Sequence, residues 1–463
     1  MKELSFKQRL QQKLASHSHP MWRKIAIITL PAFVELVMST LFGMVDMVMV
    51  GRLGPAAITA VGLTNQPFML LLSIFAAVNI GTTTLVAWQI GAGRPEEAQR
   101  VTRQTLVIGL LLGTVISGLG VLVAPVIVRF MGAGPDVIGN STIYFQIVAA
   151  GLVFQALNMG ITAALRGAGE TKIPMFYNVG SNLFNVFGNY VLIYGKLGFP
   201  QWGVAGAAVS TSFSRFLACL AGLYVLYGSR HSIIQLKPGD DYRLHRPTVK
   251  KIFDIGLPAA LEQFILQSGL MLFAKTVSGL GTLSFAAHQI GLNISGLSFA
   301  PSMAFGVAST TLVGQSLGAD NVEQAERYAN VVHKIALVVG AINGLLFILF
   351  SHPMARLYTA DPAVAGAAGT VLKILALSLP GQSTQLSLAG ALRGAGDTMY
   401  PLYASATGIW IFRVVVAFIF VRIFHWGLIG AWVAFVLDQY TRSAVVYLRF
   451  RSGKWKYTKA RLG

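Results

Sequence analysis

The chain has 463 residues, of which 54% are hydrophobic and 11% charged, whereas an ordinary soluble domain carries roughly 25% charged residues. Its 36 Lys and Arg outnumber 17 Asp and Glu, for a net charge of +19. This composition excludes a soluble domain, and it excludes a nucleic-acid-binding surface because the basic residues lie in short loops and tails beside apolar stretches, where they orient spans and meet anionic lipid.

Twelve apolar stretches recur, near residues 24–50, 56–88, 102–131, 137–165, 173–196, 203–229, 250–279, 283–315, 327–357, 363–392, 400–424 and 427–450. Several exceed the roughly 20 residues that cross ~30 Å of hydrocarbon as a helix. The short alternating segments of a β-barrel are missing. The expected fold is an all-α polytopic membrane protein with twelve transmembrane helices. An even number of spans puts both termini on one side. With the N-terminus inside, 26 basic residues fall in inside segments and 5 in outside loops, so both termini are expected to be cytoplasmic.

The first span carries no cleavage site for a leader, and it holds Pro31, Glu35 and Asp46. Eleven residues separate the two acids, which brings them within about 20° of one helix face and some 16 Å apart along it. Charges at that depth cost roughly 3 kcal/mol each and need a partner or a task. A desolvated carboxyl also binds and releases protons in a usable pH range. The fifth span places Asn185 and Asn189 one turn apart, where their amides can hydrogen-bond a carboxyl or coordinate a small cation. Ser210 and Thr211 of the sixth span add hydroxyls. Arg215, also there, takes no assignment, and neither does Lys373. Cys219 is the one cysteine, so no disulfide framework or metal cluster is expected.

Residues 230–250, basic and containing Pro238-Gly239-Asp240-Asp241, read as a cytoplasmic linker. Beyond it the chain repeats itself at an offset of 227. Leu30-Pro31-Ala32-Phe33-Val34-Glu35 maps to Leu257-Pro258-Ala259-Ala260-Leu261-Glu262, Gly54 to Gly281, Thr84-Leu85-Val86 to Thr311-Leu312-Val313, and Leu165-Arg166-Gly167-Ala168-Gly169 to Leu392-Arg393-Gly394-Ala395-Gly396. The domain reading follows: residues 1–229 form an N-terminal six-helix lobe with its tail, 230–250 the linker, and 251–463 a C-terminal six-helix lobe with a basic tail. Six spans per repeat give the halves one orientation, related by a pseudo-two-fold axis along the membrane normal, as in transporters that rock one lobe against the other. Pro31 and Pro258 are matched hinge candidates. Asp46 aligns with Phe273, so the lobes differ chemically there. Arg413, Asp438 and Arg442 are expected to hold the last two spans together as ion pairs.

No Gly-x-x-x-x-Gly-Lys-Ser/Thr loop is present, so ATP is not the expected energy source, and no nucleophile motif points to an enzyme. No cofactor is expected.

Pro31 followed by Val45-Asp46 and Gly51-Arg52-Leu53-Gly54, the two Leu-Arg-Gly-Ala-Gly segments, Asn185 to Asn189 leading to Tyr194-Gly195, and Ala286-Ala287-His288-Gln289 together resemble the multidrug and toxic compound extrusion (MATE) transporters, in particular their NorM-like bacterial branch. The resemblance covers nearly the whole chain. It implies a V-shaped pair of lobes in the inner membrane, with H⁺ or Na⁺ entering while bulky, often cationic amphipathic compounds leave. It transfers a cation or proton site to Asp46 with partners Asn185, Asn189 and Thr211. Sodium-coupled relatives carry acids where Leu266 and Gln382 stand here, and some have an aspartate at Asn189. Protons are therefore favoured over Na⁺ bound at Asp46. The substrate-cavity candidates are Glu35, Glu262, Phe33, Met38, Met44, Phe273, Gln289 and Gln382. A lipid-linked precursor flippase is the alternative, and a monomer among membrane lipids is the expected state.

Overall fold

A computed structural model of the chain describes residues 21–229 and 232–462; most of the basic N-terminal tail lies outside them. Twelve long helices account for nearly all of it. In the N-terminal lobe α1 spans Met21–Gly51, α2 Pro55–Gly91, α3 Pro95–Phe130, α4 the two arms Ile138–Ala150 and Leu152–Gly167, α5 Lys172–Tyr194 and α6 Gly203–Gly228. In the C-terminal lobe α7 spans Arg246–Ser278, α8 Thr282–Gly318, α9 Val322–Arg356, α10 Pro362–Gly394, α11 Met399–Arg422 and α12 Gly427–Arg451. A one-turn α13, Thr458–Leu462, follows. Among the described residues nine helices are long and apolar enough to cross a membrane, and the two arms of α4, bent by 42°, make a tenth. α5 and α12 complete the twelve with more polar interiors: α5 carries Asn178, Asn182, Asn185 and Asn189, and α12 carries Asp438, Gln439 and Arg442.

The connections repeat as the sequence does. Gly54 (φ 110°) and Gly281 (φ 96°) make equivalent turns between the first two helices of each lobe, in a backbone region where a side chain is strained. α1 runs unbroken through Pro31, and α7 through Pro258.

The lobes exchange their first helices at the linker-side end. Ile25 and Ile28 of α1 pack with Phe305, Ala308 and Leu312 of α8 and with Tyr328 and Val332 of α9. Reciprocally, Ile252 and Ile255 of α7 join Val78, Leu85 and Val101 of the N-terminal lobe. The helices touch backbone to backbone there. A Cβ on Gly91 would stand 1.9 Å from the Gln315 carbonyl oxygen, and one on Gly318 2.2 Å from that of Trp88.

Four buried or half-buried hydrogen bonds cross between lobes at this end, and they form two pairs related by the offset of 227. The Thr84 hydroxyl donates to the Arg393 carbonyl (2.9 Å) and the Thr311 hydroxyl to the Arg166 carbonyl (2.9 Å). Trp88 Nε1 donates to the Gly394 carbonyl (2.8 Å) and Gln315 Nε2 to the Gly167 carbonyl (3.0 Å). The acceptors are the Arg and first Gly carbonyls of the two Leu-Arg-Gly-Ala-Gly segments. The Arg166 and Arg393 carbonyls also accept from the Gly169 and Gly396 N–H groups (2.9 Å each), and a carbonyl has two lone pairs, so each motif still has acceptor capacity for the opposite lobe. The lobes are thus latched together at the linker side.

Candidate functional site

α1 and α5 run parallel and in register. Asn178 Nδ2 donates to Glu35 Oε1 (2.7 Å), Asn182 Nδ2 approaches Ser39 Oγ (3.4 Å), Asn189 Nδ2 donates to Asp46 Oδ1, and the Tyr194 hydroxyl donates to the Met49 carbonyl (2.8 Å). The first three contacts share a separation of 143 residues, as a parallel helix pair requires. The acidic stripe of α1 therefore faces the asparagine stripe of α5, inside the lobe.

Asp46 lies at the far end of α1 from the linker, half-buried. Asn189 is fully buried beside it. With the Asn185 amide nitrogen turned toward Asp46, that group donates to Oδ1 (2.9 Å) and Oδ2 (3.2 Å), while its oxygen accepts from the Thr211 backbone N–H (3.1 Å) and the Ser210 hydroxyl (3.3 Å). This orientation satisfies both ends of the amide. α6 can deliver Ser210 because α5 has Gly188 opposite: a Cβ there would meet Ser210 Oγ at 2.5 Å. Asp46, Asn185, Asn189, Ser210 and Thr211 are thus brought together, Ser210 through the expected hydroxyl and Thr211 through its backbone N–H instead.

Arg215, one turn beyond Thr211 on α6, belongs to the same site. Its guanidinium lies over the Phe68 ring (4.7 Å to the centroid), and its charge acts on Asp46 and on the Tyr144 phenol. Its Nη1 is buried without a hydrogen-bond partner. The helical spacing of four from Thr211 was the available signal for it.

Two of the cavity candidates are committed elsewhere. Glu35 pairs with Arg166 (2.9 Å), and Glu262 with Arg393 (2.7 Å) and the Ser405 hydroxyl (2.9 Å). Glu35, Arg166 and Asn178 map by the offset of 227 onto Glu262, Arg393 and Ser405. These are matched buried clamps that tie the first and fifth helices of each lobe to the Leu-Arg-Gly-Ala-Gly motif. Neither carboxylate is free to face a substrate here. Two further candidates are corrected by their burial. Phe273 is 0% exposed and packs edge-on against His288 (5.3 Å) and Trp432 (6.3 Å). Gln382, also 0% exposed, donates to the Ser298 carbonyl (3.3 Å). Phe33, Met38 and Met44 are partly exposed, and Gln289 is exposed.

The C-terminal lobe has a closed aromatic core where the N-terminal lobe has Asp46. Its charges form a separate buried cluster: Asp438 pairs with Arg413 and with Arg442 (2.9 Å), and Arg413 stacks on Phe435 (4.2 Å). This is the pairing expected for the last two spans. A π-helical stretch of α11, Thr407–Val416, carries Arg413.

Twelve spanning helices in two latched lobes, with a polar site inside one of them, define a polytopic membrane protein of the two-lobed transporter class. A family model described as MatE matches residues 31–191 and again 258–419, and the chain belongs to that family. The chain is 32% identical over 410 residues to "Probable multidrug resistance protein NorM" of Thermotoga maritima, covering 88% of this chain and 87% of that one. It is 30% identical to "Multidrug resistance protein PmpM" of Pseudomonas aeruginosa, covering 78% and 76%. Among solved structures, one described as the outward-facing conformation of a multidrug resistance MATE family transporter of the MOP superfamily superposes with a TM-score of 0.90 at 25% identity, covering 99% of this chain and all of that one.

Proposed function

We infer that the protein is a proton-coupled antiporter of a bacterial inner membrane that exports amphipathic, often cationic compounds by alternating access. Both termini and the linker then face the cytoplasm, and the latch is a cytoplasmic gate that is closed in this structure. One observation carries the coupling assignment. Among the described residues, of the carboxylates deep within the spans Glu35, Glu262 and Asp438 are each in an ion pair with arginine, while Asp46 alone has only amide partners and no guanidinium within ion-pair distance. A carboxyl held by neutral donors can take up a proton without breaking a salt bridge. Proton uptake at Asp46 and substrate binding then favour different lobe arrangements, and that differential drives exchange.

A second reading is Na⁺ at the same site, supported by an oxygen-rich shell in which the buried Asn189 Oδ1 has no hydrogen-bond partner. The test is ethidium efflux from proteoliposomes under a pH gradient and, separately, a Na⁺ gradient, for wild type and Asp46→Asn. The proton reading expects efflux with the pH gradient alone and its loss in the variant. Efflux that follows only Na⁺ reverses the ion, and none under either gradient refutes antiport.

A further inference from the structure

The Asp46 site contains a cation that belongs to the protein. α6 places Arg215 one turn past Thr211, so the face that positions Asn185 beside Asp46 also carries a fixed positive charge. The guanidinium is not consumed by an ion pair: among the described residues no carboxylate lies within 4.0 Å of it. It is held instead over Phe68 of α2, in a contact that favours a cation. The groups around the site are Asp46 from α1, Phe68 from α2, Tyr144 from α4, Asn185 and Asn189 from α5, and Ser210 and Thr211 from α6. Asp46 and Arg215 supply its charges, one of each sign. The site as a whole is neutral before any ion arrives.

Neutrality weighs differently on the two candidate ions. Either added cation is repelled by Arg215 to a similar degree. A proton forms an O–H bond and begins from the ordinary affinity of a carboxylate, about 10⁴ M⁻¹ for an aspartate with pKa ~3.9. Na⁺ forms no such bond. It must replace its hydration shell with protein oxygens and needs a surplus of negative charge to hold it, and Arg215 cancels that surplus.

We propose that Arg215 is the ion-selectivity determinant of the N-terminal lobe, a tethered counter-cation that stands where a Na⁺ site would need net negative charge and leaves Asp46 to exchange protons alone. This rests on the reading of Asp46 as the coupling group. It predicts that removing the charge, while keeping Asp46 and its amides, creates a Na⁺ site in a protein that lacks one.

The experiment is thermal unfolding and calorimetric titration of the full chain in nanodiscs, with NaCl against choline chloride at matched ionic strength. The proteins compared are wild type, Arg215→Lys, Arg215→Gln and the double variant Asp46→Asn/Arg215→Gln. Wild type and Arg215→Lys are expected to show no Na⁺-specific stabilisation. Arg215→Gln is expected to gain it, with a half-saturating Na⁺ concentration at least about tenfold below any wild-type response, and the double variant to lose it again. If Arg215→Gln does not fold, Arg215→Met keeps an apolar stem on Phe68 and takes its place. A folded variant that still binds ethidium but ignores Na⁺ overturns the proposal, and so does Na⁺-specific binding by the wild type. Proton-driven efflux by the wild type in Na⁺-free buffer is measured separately: its absence counts against the antiport reading and leaves the Na⁺-binding result standing.

Discussion

The inter-lobe latch should set how much of the population is closed at the linker side. Removing both symmetric hydroxyls, in Thr84→Val/Thr311→Val, deletes two hydrogen bonds that exist only while the lobes touch. The net contribution of such a bond is about 0.5–1.5 kcal/mol, so the pair contributes about 1–3 kcal/mol of differential stability, equivalent to about a 5- to 150-fold shift in the equilibrium. Both threonines are 0% exposed, so the Arg166 and Arg393 carbonyls gain no water in exchange while the gate is shut. Cys219, the single cysteine, is buried and can be replaced by Ala to give a clean background. Glu96 and Glu323 are exposed in the first turns of α3 and α9, related by the offset of 227, and they accept a pair of spin labels after Glu96→Cys and Glu323→Cys. The parent protein should give one short distance, and the double Val variant a second, longer population. An unchanged distribution in a folded variant refutes the assignment of the latch as a gate.

Two further outcomes follow from the ion pairs. Arg393→Met leaves Glu262, 1% exposed, with only Ser405 and should destabilise the protein by about 3–5 kcal/mol; Glu262→Gln/Arg393→Met should recover much of the lost thermal stability, and a double variant no better than the single contradicts the clamp. In the linker, Asp240 accepts from the Lys237 backbone N–H (2.9 Å) and pairs with Arg103 of α3 (2.8 Å), and these two contacts hold its carboxyl below the usual carboxylate range. A depressed pKa in the docked state means the clasp is fully present above roughly pH 3.9 and is lost as pH falls through the lowered value. Amide exchange of residues 232–245, corrected for intrinsic rate, should rise on that acid side in the wild type and lose this step in Asp240→Asn; the same step in both would assign it to another group.

Much of the architecture is legible because a bilayer leaves few ways to satisfy the backbone and because the chain states its symmetry twice. The apolar stretch at 24–50 corresponds to α1, and the offset of 227 relates the turns, the clamps and the latch. What hydropathy misses is polar. α3 begins at Pro95 rather than 102 because Pro95-Glu96-Glu97 form a helical first turn outside the apolar stretch, and α9 starts at Val322 behind an Asn321 cap that accepts from the Gln324 N–H. The bend of α4 at Gly151 was hidden as well, since it depends on the approach of Ser212 from α6, whose Oγ would stand 2.8 Å from a Cβ at Gly151. At the site, Asp46 with Asn185, Asn189 and Thr211 followed from helical spacing and family resemblance. The partners of Glu35 and Glu262 were present in the repeat, since Arg166 and Arg393 stand at the same offset, but membership of a shared motif does not say which side chains touch. Phe273 and Gln382 look like cavity lining from their positions on α7 and α10, and only the packing of α8 and α12 over them shows that they are core.

Substrate-dependent proton movement measures proton exchange at Asp46 most directly. A pH-sensitive dye inside proteoliposomes, with substrate added after a pH gradient is imposed, should report proton flux that requires both substrate and protein in the wild type and falls to the protein-free rate in Asp46→Asn. Substrate-coupled proton flux that persists undiminished in the folded Asn variant would place the coupling group elsewhere and contradict the account.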